Sequence, residues 1–367
     1  MWLSRPGLQQ GVQSPPTHIR FYQRYLNKFT QAINQHVFGE LFSWLFSNLV
    51  FDNYTLDFDS TVMGREGNQE GTAKGYNPKR PGRLSHHPLP AFVSEVRMVA
   101  NFWLRPGNTS ASTNYPAFLD DTLARFQNKQ VGLIRMDSGF FSREIPDYLE
   151  KNGLHYIIAC RFNNRIKFCL THASKWLELA RGLERSETTY QANGWESPRR
   201  IVMVRQEIEK RPKGAGKQIR QQELFENESD FGKYRYSCYV TDLELPAKIV
   251  YDSYRGRADS ENRIKKLKQD FSIDDFVSHN FWATEACGNF IIMEYNLMSL
   301  FRHALINSEK KHFLKTIRYK LLSTPAYLGR TKGKHISLSG EVTENATILT
   351  IREKIKDFSL PYDIGKA

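Results

Sequence analysis

The chain has 367 residues, a 40% hydrophobic share and a formal charge of +13, from 52 Lys and Arg against 39 Asp and Glu. That is apolar content enough for a real core in one large domain or two ordinary ones, and the spread excess of cations favours a polyanionic partner. Cys160, Cys169, Cys238 and Cys287 form no CxxC pair, no apolar run reaches the about 18 residues of a membrane span, and the first residues lack a secretory layout; a zinc knuckle, a disulfide framework and a membrane protein are excluded, and a cytoplasmic location is expected.

Residues 1–16 are rich in Pro, Gly and Gln and read as a disordered lead. A helix is predicted from Thr17, its N-cap, with Tyr22, Leu26, Phe29, Ile33, Val37, Leu41 and Leu45 stepping by four and three residues along one buried stripe. Residues 54–59, YTLDFD, alternate and run into the polar Asp59, Ser60 and Thr61, as a strand does at its end. A long loop follows over residues 63–87. Its Lys74, Lys79, Arg80 and Arg83, interleaved with Tyr76 and glycines, suit either a strip on a DNA backbone or a solvated loop. His86 and His87 adjoin a proline and read as loop residues near the core or DNA rather than metal ligands.

A second strand is predicted over residues 93–104 and a helix over 116–127. In VGLIRMDSGFF, apolar Val131, Leu133, Ile134 and Met136 lead into Asp137, Ser138 and Gly139, which puts Asp137 at a strand's carboxyl end. A helix over 143–151, a stop at Gly153 and a strand over 155–160 complete a β-α-β unit. Between residues 162 and 244 the pattern turns to Thr, Tyr, Val and Ile, which predicts an antiparallel β insertion. GAGK at residues 214–217 lacks the full phosphate-loop pattern and reads as a hairpin tip. Helical periodicity returns over 259–271 and over 281–304, where Trp282, Phe290, Ile291, Tyr295, Leu297 and Leu300 are there to bury.

Three carboxylates stand out by context: Asp59 and Asp137 at strand ends, and Glu261 inside the basic segment YRGRADSENRIKKLKQDF. Each alone has an ordinary reading, a turn cap for the aspartates and an i,i+4 pair with Lys265 for Glu261. Together they form the cradle that phosphodiester cleavage needs, in which oxygen ligands hold two divalent cations about 4 Å apart. Tyr254, Arg257, Glu261 and Lys268 step by three, four and seven residues, which on one helix places them near a common face. Arg forks onto phosphate oxygens and Lys supplies a point charge, so Tyr254, Arg257 and Lys268 are the candidate DNA-binding residues beside the acid.

That spacing resembles the Tyr-Arg-Glu-Lys signature of a branch of bacterial insertion-sequence DDE transposases, whose Glu is the third catalytic acid. LDFDST around Asp59, KGYNPKRPGRLSHHP, IRMDSGFFS around Asp137 and YVTDLE before Tyr254 resemble the same branch, over roughly residues 15–330. The resemblance implies an α/β fold: a ribonuclease-H-like mixed sheet flanked by helices, interrupted by an antiparallel β insertion, with helical N- and C-terminal parts. It implies Mg²⁺, with Mn²⁺ as a substitute, two ions per site, on Asp59, Asp137 and Glu261. It also implies cut-and-paste transposition at inverted-repeat ends by a homodimer on double-stranded DNA, nucleoid-associated in a bacterium, and a base-stacking aromatic at Trp282. Asp57, two residues earlier on the same strand face, stays open as the first acid.

The organisation expected is a lead at 1–16, a helical segment at 17–52, a catalytic core at 53–161 and 246–306 split by the insertion at 162–245, and a basic segment at 307–367. The branch carries a larger N-terminal end-recognition region, so a truncated copy is expected here. A nuclease that cuts without joining and a non-catalytic DNA-binding descendant are the competing readings.

Overall fold

The computed structural model describes residues 24, 26–51, 53–127, 129–208, 233–275, 278–306, 314–323, 326–329, 335–338 and 346–363. The predicted start at Thr17 and the hairpin tip at 214–217 lie outside them. Among the described residues no helix is long and apolar enough to cross a membrane.

The first long helix, α1 (Gln31–Ser47), is capped by Thr30, whose side chain accepts from the Ile33 N–H at 3.3 Å. It buries Asn34, Phe38, Phe42, Leu45 and Phe46, whereas Ile33 is 41% and Leu41 37% exposed. The predicted stripe is therefore rotated by about one position. Helix α1 is apolar on more than one face, and the face carrying phenylalanines at i, i+4 and i+8 covers the larger area, so it takes the core.

Among the described residues β1 (Leu49–Val50) pairs apart with Tyr362 and Asp363, and nine strands form one mixed sheet. Across it run β10 (Leu177–Ala180), β11 (Leu183–Tyr190), β12 (Arg199–Glu207), β13 (Tyr234–Thr241), β9 (Tyr156–Ala159), β8 (Gln130–Met136), β2 (Asn53–Phe58), β6 (Leu89–Val93) and β7 (Met98–Trp103). The three central strands β2, β8 and β9 are parallel, and every outer pairing is antiparallel. Parallel neighbours need crossovers, which α2 (Tyr115–Ala124) supplies between β2 and β8 and α3 (Glu144–Lys151) between β8 and β9.

Three expectations are revised. The single strand over 93–104 is the second half of a hairpin, β6 and β7, whose turn places Arg97 at φ 55°. The loop over 63–87 contains β3 (Met63–Gly64), β4 (Ala73–Lys74) and β5 (Leu84–His86) in a small antiparallel sheet. It packs so closely on the next loop that a Cβ on Gly75 would sit 1.9 Å from the Gly107 carbonyl oxygen. The insertion opens with a helix, α4 (Asn164–Thr171), and its antiparallel strands extend the main sheet through the β13–β9 pairing.

The predicted signature helix is two helices, α5 (Ala247–Arg255) and α6 (Ala258–Gln269). Helix α5 presents Ala247, Val250 and Tyr251 at i, i+3 and i+4 to Ile157, Val202, Val204 and Tyr239, a small core on β9, β12 and β13. Helix α7 (Phe281–Phe301) packs against β7 and α1, with Phe38 edge-on to Phe290 at 5.0 Å. The C-terminal part includes an antiparallel strand pair, β14 (Ala326–Gly329) and β15 (His335–Leu338), besides the expected helical segments.

Candidate active site

Strands β2 and β8 pair in register, Asp57 with Arg135 and Phe58 with Met136. Asp59 and Asp137 each follow directly, so the two acids stand at the carboxyl ends of neighbouring parallel strands, where such sheets open their clefts. Asp59 Oδ1 accepts from the Ser60 N–H at 2.8 Å, and Asp137 Oδ1 from the Gly139 N–H at 2.9 Å. Both contacts fix the carboxylate against its own turn and leave the second oxygen for another partner. For Asp59 that partner is Arg257, whose Nη2 lies 3.0 Å from Oδ2 and also donates to the Phe58 carbonyl at 3.3 Å.

Asp59 is only 6% exposed, and its carboxyl is pushed up to about 6. Burial is the largest cause; Arg257 opposes it, and the negative charges of Asp137 and Glu261 add to it. All three predicted acids are therefore near enough for Asp59 to feel the other two. Glu261 itself is exposed, in the first turn of α6.

Asp57 has a different fate. It is fully buried and held by Arg135 through Nε at 2.6 Å and Nη2 at 2.9 Å, so both of its oxygens are occupied by one guanidinium. The remaining predicted residues are placed as follows. Tyr254 ends the apolar stripe of α5 with its ring 4.4 Å from that of Tyr239, and burial raises its hydroxyl pKa. Burial pulls the Arg257 pKa down, but Asp59 and then Tyr254 outweigh it and the net direction is up. Lys268 donates to the Val62 carbonyl at 2.6 Å; burial is the main cause lowering its pKa, Asp274 opposes, and Lys79 and Arg65 add to it. Trp282 is half-buried at the start of α7, its ring 4.9 Å from Phe281 and its carbonyl accepting from Asn34 at 3.0 Å. His86 and His87 are buried, with ring nitrogens 2.9 Å from the Glu70 carbonyl and 2.5 Å from the Thr109 carbonyl. Lys74, Tyr76, Lys79, Arg80 and Arg83 are all exposed.

Sequence reasoning missed Arg135. Its signal was a lone arginine in an apolar run, VGLIRM, matched across a parallel pair by a lone aspartate in YTLDF.

Residues 3–360 match the family described as "Transposase DDE domain group 1". The chain belongs to the DDE transposase family. No curated protein matches it. Among solved structures it is similar to a piggyBac transposase in a synaptic complex with hairpin DNA, at 12% identity and a TM-score of 0.44, covering 91% of this chain and 68% of that one. Family membership places this transposase among enzymes that act on DNA and generally use divalent metal ions.

The residues at the sheet's carboxyl ends fit such ions by chemistry. They are hard oxygen donors, and Asp59, raised chiefly by burial and further by the charges of Asp137 and Glu261, is a carboxylate whose ionised form a bound cation would favour. The set is not closed to ligand distance: among the described residues no three Asp, Glu, His or Cys side chains stand as a metal-holding group. The Arg257 guanidinium supplies the compensating positive charge at Asp59.

Proposed function

We propose that Asp59, Asp137 and Glu261 are the catalytic acids of a DNA transposase that cuts at the ends of its own element and joins them to target DNA. The observation that carries the reading is the in-register end of β2 and β8, which stands two acids side by side, with Glu261 close enough for Asp59 to respond to its charge. A ribonuclease-H-like core is the architecture that suits this. The strand order β7-β6-β2-β8-β9, antiparallel on one side of β2 and parallel on the other, supports it.

The three carboxylates would hold two Mg²⁺, or Mn²⁺ in their place; bound there, the ions would supply an activated oxygen and stabilisation of the leaving oxygen. Asp59 and Asp137 are pre-set for this by their turns, and Glu261 is exposed in the first turn of α6. Arg257 would exchange Asp59 for a phosphate oxygen, and its Nε has no partner among the described residues. Lys268 lies near enough to Lys79 to feel its charge, so the exposed strip of Lys74, Lys79, Arg80 and Arg83 continues toward the acids as a track for a DNA backbone. Tyr254 orients this junction from within the small core, and Trp282 is the candidate aromatic for an unpaired base at the element's end. The motifs around these residues support a bacterial insertion-sequence origin, the Tyr-Arg-Glu-Lys branch and assembly as a homodimer on DNA.

The test is Mg²⁺-dependent nicking of DNA carrying the element's ends, with joined products scored separately. Glu261→Gln should abolish nicking, and equal nicking by parent and variant would sink the reading. Nicks without joined products would make the protein a site-specific nuclease. Two observations favour a non-catalytic DNA-binding descendant: among the described residues the acids are not gathered into a metal-holding group, and Arg257 occupies Asp59. That reading predicts strongly salt-dependent DNA binding with no turnover in either ion.

A further inference from the structure

Arg135 touches both strands that lead to the proposed aspartates and the end of α5, the helix that precedes the one carrying Glu261. It sits on β8 two residues before Asp137, and its Nε and Nη2 grip Asp57 on β2 two residues before Asp59. Nη2 also donates to Ser94 Oγ at 2.8 Å, in the turn between β6 and β7. Nη1 donates to the Ser253 carbonyl near the end of α5.

The last contact changes the course of the chain. In an uninterrupted helix the Ser253 carbonyl would accept from the Arg257 N–H; with Arg135 on it, the Arg257 N–H turns to the Tyr254 carbonyl at 2.9 Å, and the helix breaks between α5 and α6. Side chains that enter the hydrogen-bond ladder are a known cause of such kinks. Space is reserved for it: a Cβ on Gly256 would stand 2.6 Å from Arg135 Nη1. Helix α6 then runs from the break with Arg257 and Glu261 near its start, and Arg263 ties it to the same β6–β7 turn through the Val93 and Ser94 carbonyls, both at 2.9 Å.

We infer that Arg135, with Asp57 as its anchor, is a positioning residue that sets the direction in which α6 delivers Arg257 and Glu261 to Asp59 and Asp137. This rests on the assignment of the three acids above. Stability does not explain the pair, because a buried ion pair is commonly replaceable by apolar side chains of similar volume at no loss. Orientation does, because one guanidinium fork satisfies two strands, a turn and a helix end at once.

The experiment uses the full chain and the double variant D57L/R135M, which removes the fork while keeping the site packed. Thermal unfolding, Mn²⁺ binding by calorimetry and nicking of end-bearing DNA are read together. A chain that melts within a few degrees of the parent, binds Mn²⁺ roughly 10–100-fold more weakly and nicks about 100-fold more slowly is the expected result. A folded double variant with parental Mn²⁺ affinity and nicking overturns the inference. If the double variant does not fold, G256A crowds Nη1 while leaving Asp57 in place, and should weaken both readouts in the same direction; parental values there overturn it equally. E261Q separates the two levels: if it nicks like the parent, the acid assignment fails and the clamp with it, whereas a dead E261Q beside a parental double variant removes the clamp alone.

Discussion

Two layers of charge lie two residues apart along the same pair of strands, and they have opposite characters. In the deeper layer Asp57 meets Arg135 as its register partner, both oxygens are satisfied, and the carboxylate is sealed. In the outer layer, one residue beyond the last strand pair, Asp59 feels the charge of another acid, Asp137, and its compensating cation, Arg257, comes from the start of a helix instead of a strand. Strand periodicity puts Asp57 and Asp59 on one face, so position does not distinguish them. The neighbour does: the acid gripped by an arginine fork on the partner strand is a structural tie, and the acid set beside another acid is the one proposed to take a cation.

The sharpest way to break that contrast is to neutralise each layer in turn. Asp59→Asn should lower nicking by on the order of 10³-fold or more in the chain that remains folded, since it removes one proposed oxygen ligand. Asp57→Asn should instead show first in unfolding, costing about 3–5 kcal/mol because Arg135 is left buried without its counter-charge. If D57N melted like the parent while D59N unfolded, the two roles would be reversed.

Glu285 sharpens the comparison from outside the site. Its carboxyl is pushed up to about 7, mainly by burial, against the opposing hydrogen bonds from Asn34 at 2.9 Å and the Leu104 N–H at 3.0 Å. A raised carboxyl thus also marks a purely structural position, where α7 meets α1 and β7. The folded chain holds this proton between the ordinary value of 4.5 and about 7, while the unfolded chain has released it. Stability should therefore fall as pH rises through that window, by on the order of 3 kcal/mol in full. Glu285→Gln should flatten this fall, its amide reaching Asn34 Oδ1, which has no partner among the described residues; melting curves at pH 5 and pH 8 check it, and an unchanged slope in E285Q would be contrary.

The smallest effect is expected on the basic strip. Replacing Lys79 and Arg80 by Gln should weaken binding to any duplex alike and reduce the salt dependence of log K by roughly 1–2, with nicking at saturating DNA retained. An unaltered slope would remove the strip from the DNA track.

The parallel centre of the sheet was readable because short apolar runs ending in polar turns announce strands, and β2, α2, β8, α3 and β9 fall within a few residues of the predicted spans. The buried face of α1 was not, because Ile33, Val37 and Leu41 carry the same period as Phe38, Phe42 and Phe46, and only the partner helix decides between them. The place of Asp137 at a strand end and of Glu261 on a helix was legible from local motifs. The distinction between Asp57 and Asp59 was not, since it depends on register with a strand some eighty residues away, as does the break that Arg135 imposes ahead of Glu261.

Fe²⁺-directed cleavage of the polypeptide asks most directly whether the three acids share one cation site. With Fe²⁺ in place of Mg²⁺ and a peroxide pulse, backbone cuts should cluster beside Asp59, Asp137 and Glu261, fade as Mg²⁺ is added, and vanish in D59N. Cuts confined to the basic strip, or a pattern that D59N leaves unchanged, would contradict the assignment.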